Sequence, residues 1–378
     1  MLQETGAKIA AHFAELEDPR SGPAILHRLI DMVVIALCAV ICGADGWVEV
    51  EQFGQAKYTW LKGFLELPHG IPSHDTFGRV FARLDAEQFA RSFLSWVRAV
   101  AQVTKGQVIA IDGKTLRRSH DRYLGKEAIR MVSAWATANR LVLGQIKVDE
   151  KSNEITAIPH LLRLLDISGC LVTVDALGCQ KEIAAQIVAQ GGDYLLALKE
   201  NQGALYRRVQ VLFAHAQTPD GREMPGDETQ TTHKDHGRLE KRVCYTLSTR
   251  DWLFYLDPEG EWPRLQTVIK VVAERQVNGA CSEETRFYIS SAPGDARRLQ
   301  QAVRDHWGVE NGLHWVLDIA FREDESRIRK GNGDQNFSLL RRLALNLLRH
   351  DHSIKAGIKA RRHRAGWDES YLLKVLSV

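Results

Sequence analysis

Three acidic residues stand where a divalent cation could be held, and each ends or lines an element recognisable from its composition. Asp112 closes the run Val108-Ile109-Ala110-Ile111, a continuous β-branched stretch of the kind found in strands buried on both faces. Asp175 closes Leu171-Val172-Thr173-Val174 in the same way, and Glu310 lies in the helical pattern RDHWGVENGLHWVLD. An Asp-Gly pair after an apolar run is also a common turn cap, so Asp112 alone decides nothing. Two acids at the ends of neighbouring buried strands would lie side by side, and an acid on a packing helix would close the set. The separations, 175 − 112 = 63 and 310 − 175 = 135, leave tertiary structure as the means of joining them. Hard cations such as Mg²⁺ take oxygen ligands and keep several waters, which suits carboxylates together with phosphate oxygens. Two such ions about 4 Å apart clamp the attacking and leaving oxygens of an in-line displacement, the chemistry of nucleases and strand transfer.

Basic and polar residues accompany these acids. Lys114, Arg117 and Arg118 come after Asp112 closely enough to bind phosphate, and Lys199 and Asn201 come after the strand-like run Tyr194 to Leu198. The latter two would touch phosphate, orient Asp175, or form an ordinary polar cluster at a strand end. Asp318, Glu323, Asp324 and Glu325 compete as ligands, but the mixed signs of residues 322–330 read as a solvated helix face. The fourteen His residues show no zinc spacing.

The elements that must position the acids are legible in chain order. Residues 1–105 read as helical, with apolar helices over 26–42, 47–64, 73–84 and 85–103. A Pro-containing turn before a helix bearing Arg79 and Arg83 is either a DNA-reading helix-turn-helix or plain core packing. From Gly106 the pattern is strand, strand, strand, helix, strand, helix, strand, the order of an α/β layer on a mixed sheet. Residues 217–232 read as a loop, and three strand-like runs at 238–247, 266–276 and 284–290 suggest a β-rich insertion over about 217–292 that interrupts this layer. Helices over 297–321 and 337–350 complete a catalytic domain spanning 106–350, and 351–378 reads as a basic tail.

Composition bounds the class. With 378 residues, 44% hydrophobic and 26% charged, the chain has room for two or three globular domains. Six scattered cysteines without CxxC pairs and no leader pattern indicate reduced thiols in the cytoplasm. The most apolar segment, 32–42, is far shorter than the roughly 20 residues a membrane span requires. Net charge is only +3, yet eight bases against the single acid Asp351 lie between Arg341 and Arg364, including Arg361 and Arg362. Such a cationic stretch suits phosphate, with a solubilising face as the alternative.

The segments AIDGKTLR, TVDALGCQKEIA, YLLALKENQ and HWGVENGLHWVLDIAFREDESRIR, with DPRSGPAILHRLIDM and IPSHDTFGRVF, resemble the insertion-sequence transposases of the H-repeat-associated, Rhs-element-associated type over nearly the whole chain. That resemblance implies a DDE transposase: a ribonuclease H-like α/β catalytic domain preceded by an all-α domain. Carried over, it implies a catalytic and metal-binding triad of Asp112, Asp175 and Glu310. It further implies Mg²⁺, with Mn²⁺ substituting, element-end and target DNA as partners, no membrane, a homodimer in the DNA complex, and a place in the cytoplasm with the nucleoid.

Many related transposases carry Tyr, Arg and Lys seven before, four before and seven after the catalytic Glu; here Val303, His306 and Leu317 stand there. His306 and Trp307 are therefore DNA-binding candidates in their stead. Trp307 or Trp315 would stack on an unpaired base or pack in the core, core packing being the expectation for Trp315. Two other functions fit the same residues: a regulatory DNA-binding remnant of such an element, or a structure-selective nuclease.

Overall fold

The β-branched runs pair as their composition dictates. The computed structural model describes residues 10–22, 25–100, 106–120, 127–148, 153–221, 224–235, 238–277 and 280–377, so 101–105, beside the expected domain boundary, lie outside the description. Before the first strand the described elements are helical, principally α1 (Leu29–Ile41), α2 (Trp47–Ala56), α3 (His74–Arg83) and α4 (Ala86–Val100). Strands β1 (Val108–Thr115), β2 (Arg130–Ala136) and β3 (Leu141–Lys147) come next, then α5 (Glu154–Leu164), β4 (Leu171–Val174), α6 (Lys181–Ala189), β5 (Asp193–Leu198) and α7 (Gly203–Ala216).

Four further strands, β6 (Gly226–Asp235), β7 (Arg238–Ser248), β8 (Thr267–Val277) and β9 (Ala280–Ser290), complete one nine-stranded sheet in the order β3-β2-β1-β4-β5-β9-β8-β7-β6. Two expectations are corrected here. The β-rich segment interrupts the α/β layer in sequence only; in space β9 runs antiparallel to β5, with Leu196 opposite Ile289, and widens the same sheet. Residues 226–232, read as loop for their Thr, Gly and Asp content, belong to edge strand β6, which pairs only with β7 and so tolerates a polar sequence.

The helices α8 (Ala296–Val309) and α9 (Trp315–Phe321) are joined by a π-helical segment, Glu310–His314, and α10 (Gly333–His350), α11 (Ile358–Trp367) and α12 (Glu369–Leu376) end the chain. Helix α10 is the centre of the molecule. Leu340, Leu343, Ala344 and Leu347 join the core that also takes nearly all of α1, and Trp47 of α2 meets Phe337 edge-on with ring centroids 4.9 Å apart. The amino-terminal helices thus share one core with the sheet.

On α10, Asn346 accepts from Val142 N–H and donates to Val142 C=O, both at 2.9 Å, pairing buried edge strand β3 as another strand would. Asn346→Leu leaves two buried backbone groups without partners, and the expected loss of stability is about 2–4 kcal/mol. Denaturant unfolding of the variant checks it.

The carboxy-terminal cations also need correction. Arg341 and Arg342 are 2% and 0% exposed, the first over the Phe337 ring and the second on Glu323 at 2.7 Å. Arg362, expected on DNA, is 4% exposed, donates to the carbonyls of Val40, Ala44 and Ala320, and lies 4.2 Å over Phe321. Arg361, expected likewise, donates to the carbonyls of Leu348, Asp351, Ile354 and Ala356. With these donors committed, the described part of the expected basic tail, 351–377, folds onto the core as α11 and α12 rather than trailing as a phosphate-gripping tail.

Candidate active site

Register brings the first two acids together. Parallel strands β1 and β4 align Ile111 with Val174, so Asp112, still within β1 and opposite Ser133 of β2, lies beside Asp175, the first residue past β4, about one strand spacing of 4.8 Å away at the backbone. Asp175 accepts from Gly178 N–H at 3.1 Å, and Asn201 donates to the adjacent Ala176 carbonyl at 2.5 Å. Asn201 therefore fixes the turn that carries Asp175.

A third carboxylate at this edge was not among the candidates. Glu154 sits in the first turn of α5, behind the cap Asn153, whose side chain accepts from Ile155 N–H. Its carboxylate lies over β1 where Gly113 has no side chain; a Cβ there would fall 2.2 Å from Oε1. A side chain at position 113 would displace the Glu154 carboxylate from this place over β1. The only sequence signal was an Asn-Glu pair opening a helix after the third strand, which ordinary capping also produces.

Glu310 opens the π-helical segment. Val309, Leu313 and Leu317 anchor this stretch in the core, and the extra residue of the π turn rotates the downstream side chains by about 100° relative to a plain α-helix. Glu310 itself is exposed, rather than turned in to the sheet edge. It borders a trough with Arg242, Arg275, Arg286 and Arg304, in which Glu240 pairs with Arg242 and Arg275 at 2.6 and 3.0 Å and Glu284 with Arg286 at 2.8 Å. These arginines come from the β-rich segment and α8, and no motif marked them out.

The electrostatics are those of crowded negative charge. Burial pushes the Asp112 carboxyl up to about 7, aided by Asp175, Glu154 and Glu310 and resisted by the Gly113 N–H. Burial and Asp175 likewise raise Glu154, against the pull of Arg130. His314 Nδ1 stands 3.5 Å from Asp112 Oδ2. Burial, with Arg342 and Lys114 nearby, lowers His314 to about 4, so it brings no positive charge at neutral pH. Among the described residues no three His, Cys, Asp or Glu side chains are drawn together tightly enough to hold a metal ion.

Around the acids, the expected DNA-contacting residues divide. Lys114 is 8% exposed and held by Asp318 at 2.6 Å and Asp324 at 3.0 Å, so its charge is taken up by carboxylates; these two acids are not a merely solvated face. Arg117 is largely exposed, 3.3 Å from Asp324, and Arg118 is exposed. Lys199, His306 and Trp307 line a cavity of about 400 Å³ with Asp175. His306 Nδ1 meets Thr173 Oγ1 on β4 at 3.0 Å, and burial lowers this ring to about 4 although Asp175 pulls the other way. Trp307, 41% exposed, carries Arg286 over its ring at 4.5 Å. Trp315, expected in the core, is 60% exposed.

Acids delivered by neighbouring parallel strands, faced by a helix with a further acid and by an arginine-lined trough, define a carboxylate-centred α/β protein. The chain belongs to the DDE transposase family: the family described as "Transposase DDE domain" matches residues 104–347, and "DDE_Tnp_1-associated" matches 10–97. It is 40% identical to "H repeat-associated putative transposase YhhI" of Escherichia coli K12 over 98% of both chains. It is 41% identical to "Putative transposase YncI" of Escherichia coli O157:H7 over 97% of this chain and 93% of that one. A chain from the piggyBac transposase synaptic complex with hairpin DNA aligns over 99% of this chain and 78% of its own, at 12% identity and a TM-score of 0.40.

Proposed function

We propose that this chain is a Mg²⁺-dependent DNA transposase, with Mn²⁺ able to substitute, that cuts the ends of an insertion sequence and joins them to target DNA. The observation that carries the proposal is the crowding at Asp112, whose carboxyl stands near 7 because it is buried and faced by Asp175, Glu154 and Glu310. Carboxylate oxygens are the donors a hard divalent ion takes, although among the described residues of this structure the acids are not drawn together tightly enough to hold one. Asp112 and Asp175 would hold it, with Glu310 completing the site; once bound, it supplies charge for a phosphorane-like transition state. The strand order β3-β2-β1-β4-β5, antiparallel then parallel, supports a ribonuclease H-like catalytic core.

Each residue then has its part. Water attacks the phosphorus at the element end and breaks a P–O bond to free a 3′-hydroxyl, which then attacks a target phosphodiester and expels the target's 3′-oxygen. Lys199, Arg117 and Arg118 would face backbone phosphates, and Trp307 with His306 lines the cavity beside Asp175. The family further suggests a homodimer on paired ends, working at the nucleoid in the cytoplasm; among the described residues no helix is long and apolar enough to cross a membrane.

Full-length protein incubated with labelled element ends, target DNA and Mg²⁺ should give nicked ends and then joined products, and Glu310→Gln should abolish both while retaining DNA binding. Binding without cleavage in Mg²⁺ and Mn²⁺ would instead identify a regulatory remnant, and cleavage without joining a nuclease.

A further inference from the structure

On the side of the π-helical segment away from the trough lies a second groove of about 580 Å³, walled by the turn between β2 and β3, by α9 and by the start of α11. We propose that this groove binds an unpaired DNA strand, its bases against Trp315 and Ile319 and its phosphates against Arg140 and Lys359. The proposal deepens the reading above, because the strand it would hold is one leading to Glu310.

Four observations support it. Trp315 and Ile319, four residues apart and so on one face of α9, are 60% and 51% exposed and both line the groove. Together the exposed indole and the neighbouring isoleucine give the groove an apolar wall.

The charge is one-sided. No Asp or Glu lines the groove, while Arg140, Lys359 and His352 are exposed along it, and Arg140 and Lys359 have no carboxylate partner among the described residues. Arg349 is committed to the carbonyls of Arg140 and Gly312 and to the Trp135 ring, and Arg361 to four backbone carbonyls, so these two shape the groove while Arg140 and Lys359 face it.

Arg140 also occupies the left-handed region, at φ +54, where glycine or asparagine would sit more easily. This arginine, held in a strained backbone conformation at the turn between β2 and β3, lines the groove.

Finally, Asn311, the residue after Glu310, lines both this groove and the arginine trough, so the two surfaces meet at the candidate catalytic acid. An aromatic face flanked by cations with no acid selects a polyanion with flat apolar faces, and bases offer such faces only when they are unpaired. A second copy of this chain would bring the same cations against Arg140 and Lys359 and is less complementary.

The test uses full-length protein in EDTA, with fluorescein-labelled dT15 and a 15-base-pair duplex monitored by anisotropy. Trp315→Ala should weaken dT15 binding about tenfold or more and leave duplex affinity within about twofold. Arg140→Ala with Lys359→Ala should reduce the salt slope for dT15 by about 1.4, two phosphate contacts' worth. Unchanged dT15 affinity in Trp315→Ala overturns the proposal. So does sedimentation showing that Trp315→Ala with Ile319→Lys abolishes self-association while strand binding persists, which would assign the face to a second copy. Wild-type cleavage of element ends in Mg²⁺ is scored separately: cleavage with no effect of Trp315→Ala removes the groove alone. Lost strand binding in that variant, with no wild-type cleavage, removes the transposase mechanism alone.

Discussion

Asp112→Asn is expected to abolish DNA cleavage, by about a thousandfold or more, and at the same time to make the protein more stable. On the function proposed above, the loss comes from removing one of the carboxylates that would hold the metal ion. The gain comes from the same crowding. A carboxyl raised from 3.8 to about 7 binds its proton more tightly in the folded chain than in the unfolded one. Stability therefore falls as pH rises between those values, and above pH 7 the wild type carries the whole penalty, on the order of 4 kcal/mol. The asparagine variant escapes it. Thermal unfolding at pH 8 should show the variant melting higher than wild type, and Mg²⁺ should raise the melting temperature of wild type alone. A variant that melts lower at pH 8 would show that the site stores no such repulsion.

Glu323→Gln should have the opposite consequence, a loss of about 3–5 kcal/mol with no part in chemistry. Glu323 is 1% exposed and Arg342 is 0% exposed, their side chains meeting at 2.7 Å with the Ser338 hydroxyl bonded to both. Burial alone would raise the Glu323 carboxyl, but Arg342, Arg341 and Lys114 together hold it below the usual carboxylate range. Its stabilisation is thus present above the unfolded value and is lost as pH falls through the depressed folded one. Removing the charge strands Arg342 in the core. Adding Arg342→Met to Glu323→Gln should recover most of the loss, because the pair is costly mainly when broken; urea unfolding of the two single variants and the double variant measures the coupling.

What the sequence could disclose depended on whether local pattern and burial agree. The strands carrying Asp112 and Asp175 were legible because a β-branched run has one common fate in an α/β layer, and the acid at its end needs no tertiary information to be noticed. Glu154 was not, since an acid in the first turn of a helix looks the same whether it caps or faces a site. The sign pattern misled at Glu323, Arg341 and Arg342, because charged residues are normally solvated and α10 is buried around most of its circumference. Trp315 misled in the opposite direction, an aromatic at helical spacing that the π turn rotates out of the core. Edge strand β6 hid behind a composition that a central strand would not tolerate.

The central position of α10 bears on how the protein comes into being. Its Asn336 donates to the carbonyls of Phe81 and Leu84, partners about 250 residues earlier, and Arg362 reaches back 322 residues to Val40. During synthesis the apolar surface of α1 must therefore wait for nearly the whole chain to leave the ribosome, tens of seconds at about 5–20 residues per second. Until then it needs a temporary cover, such as a chaperone. A chain cut short before α10 would leave the apolar face of α1 without the partner that covers it here.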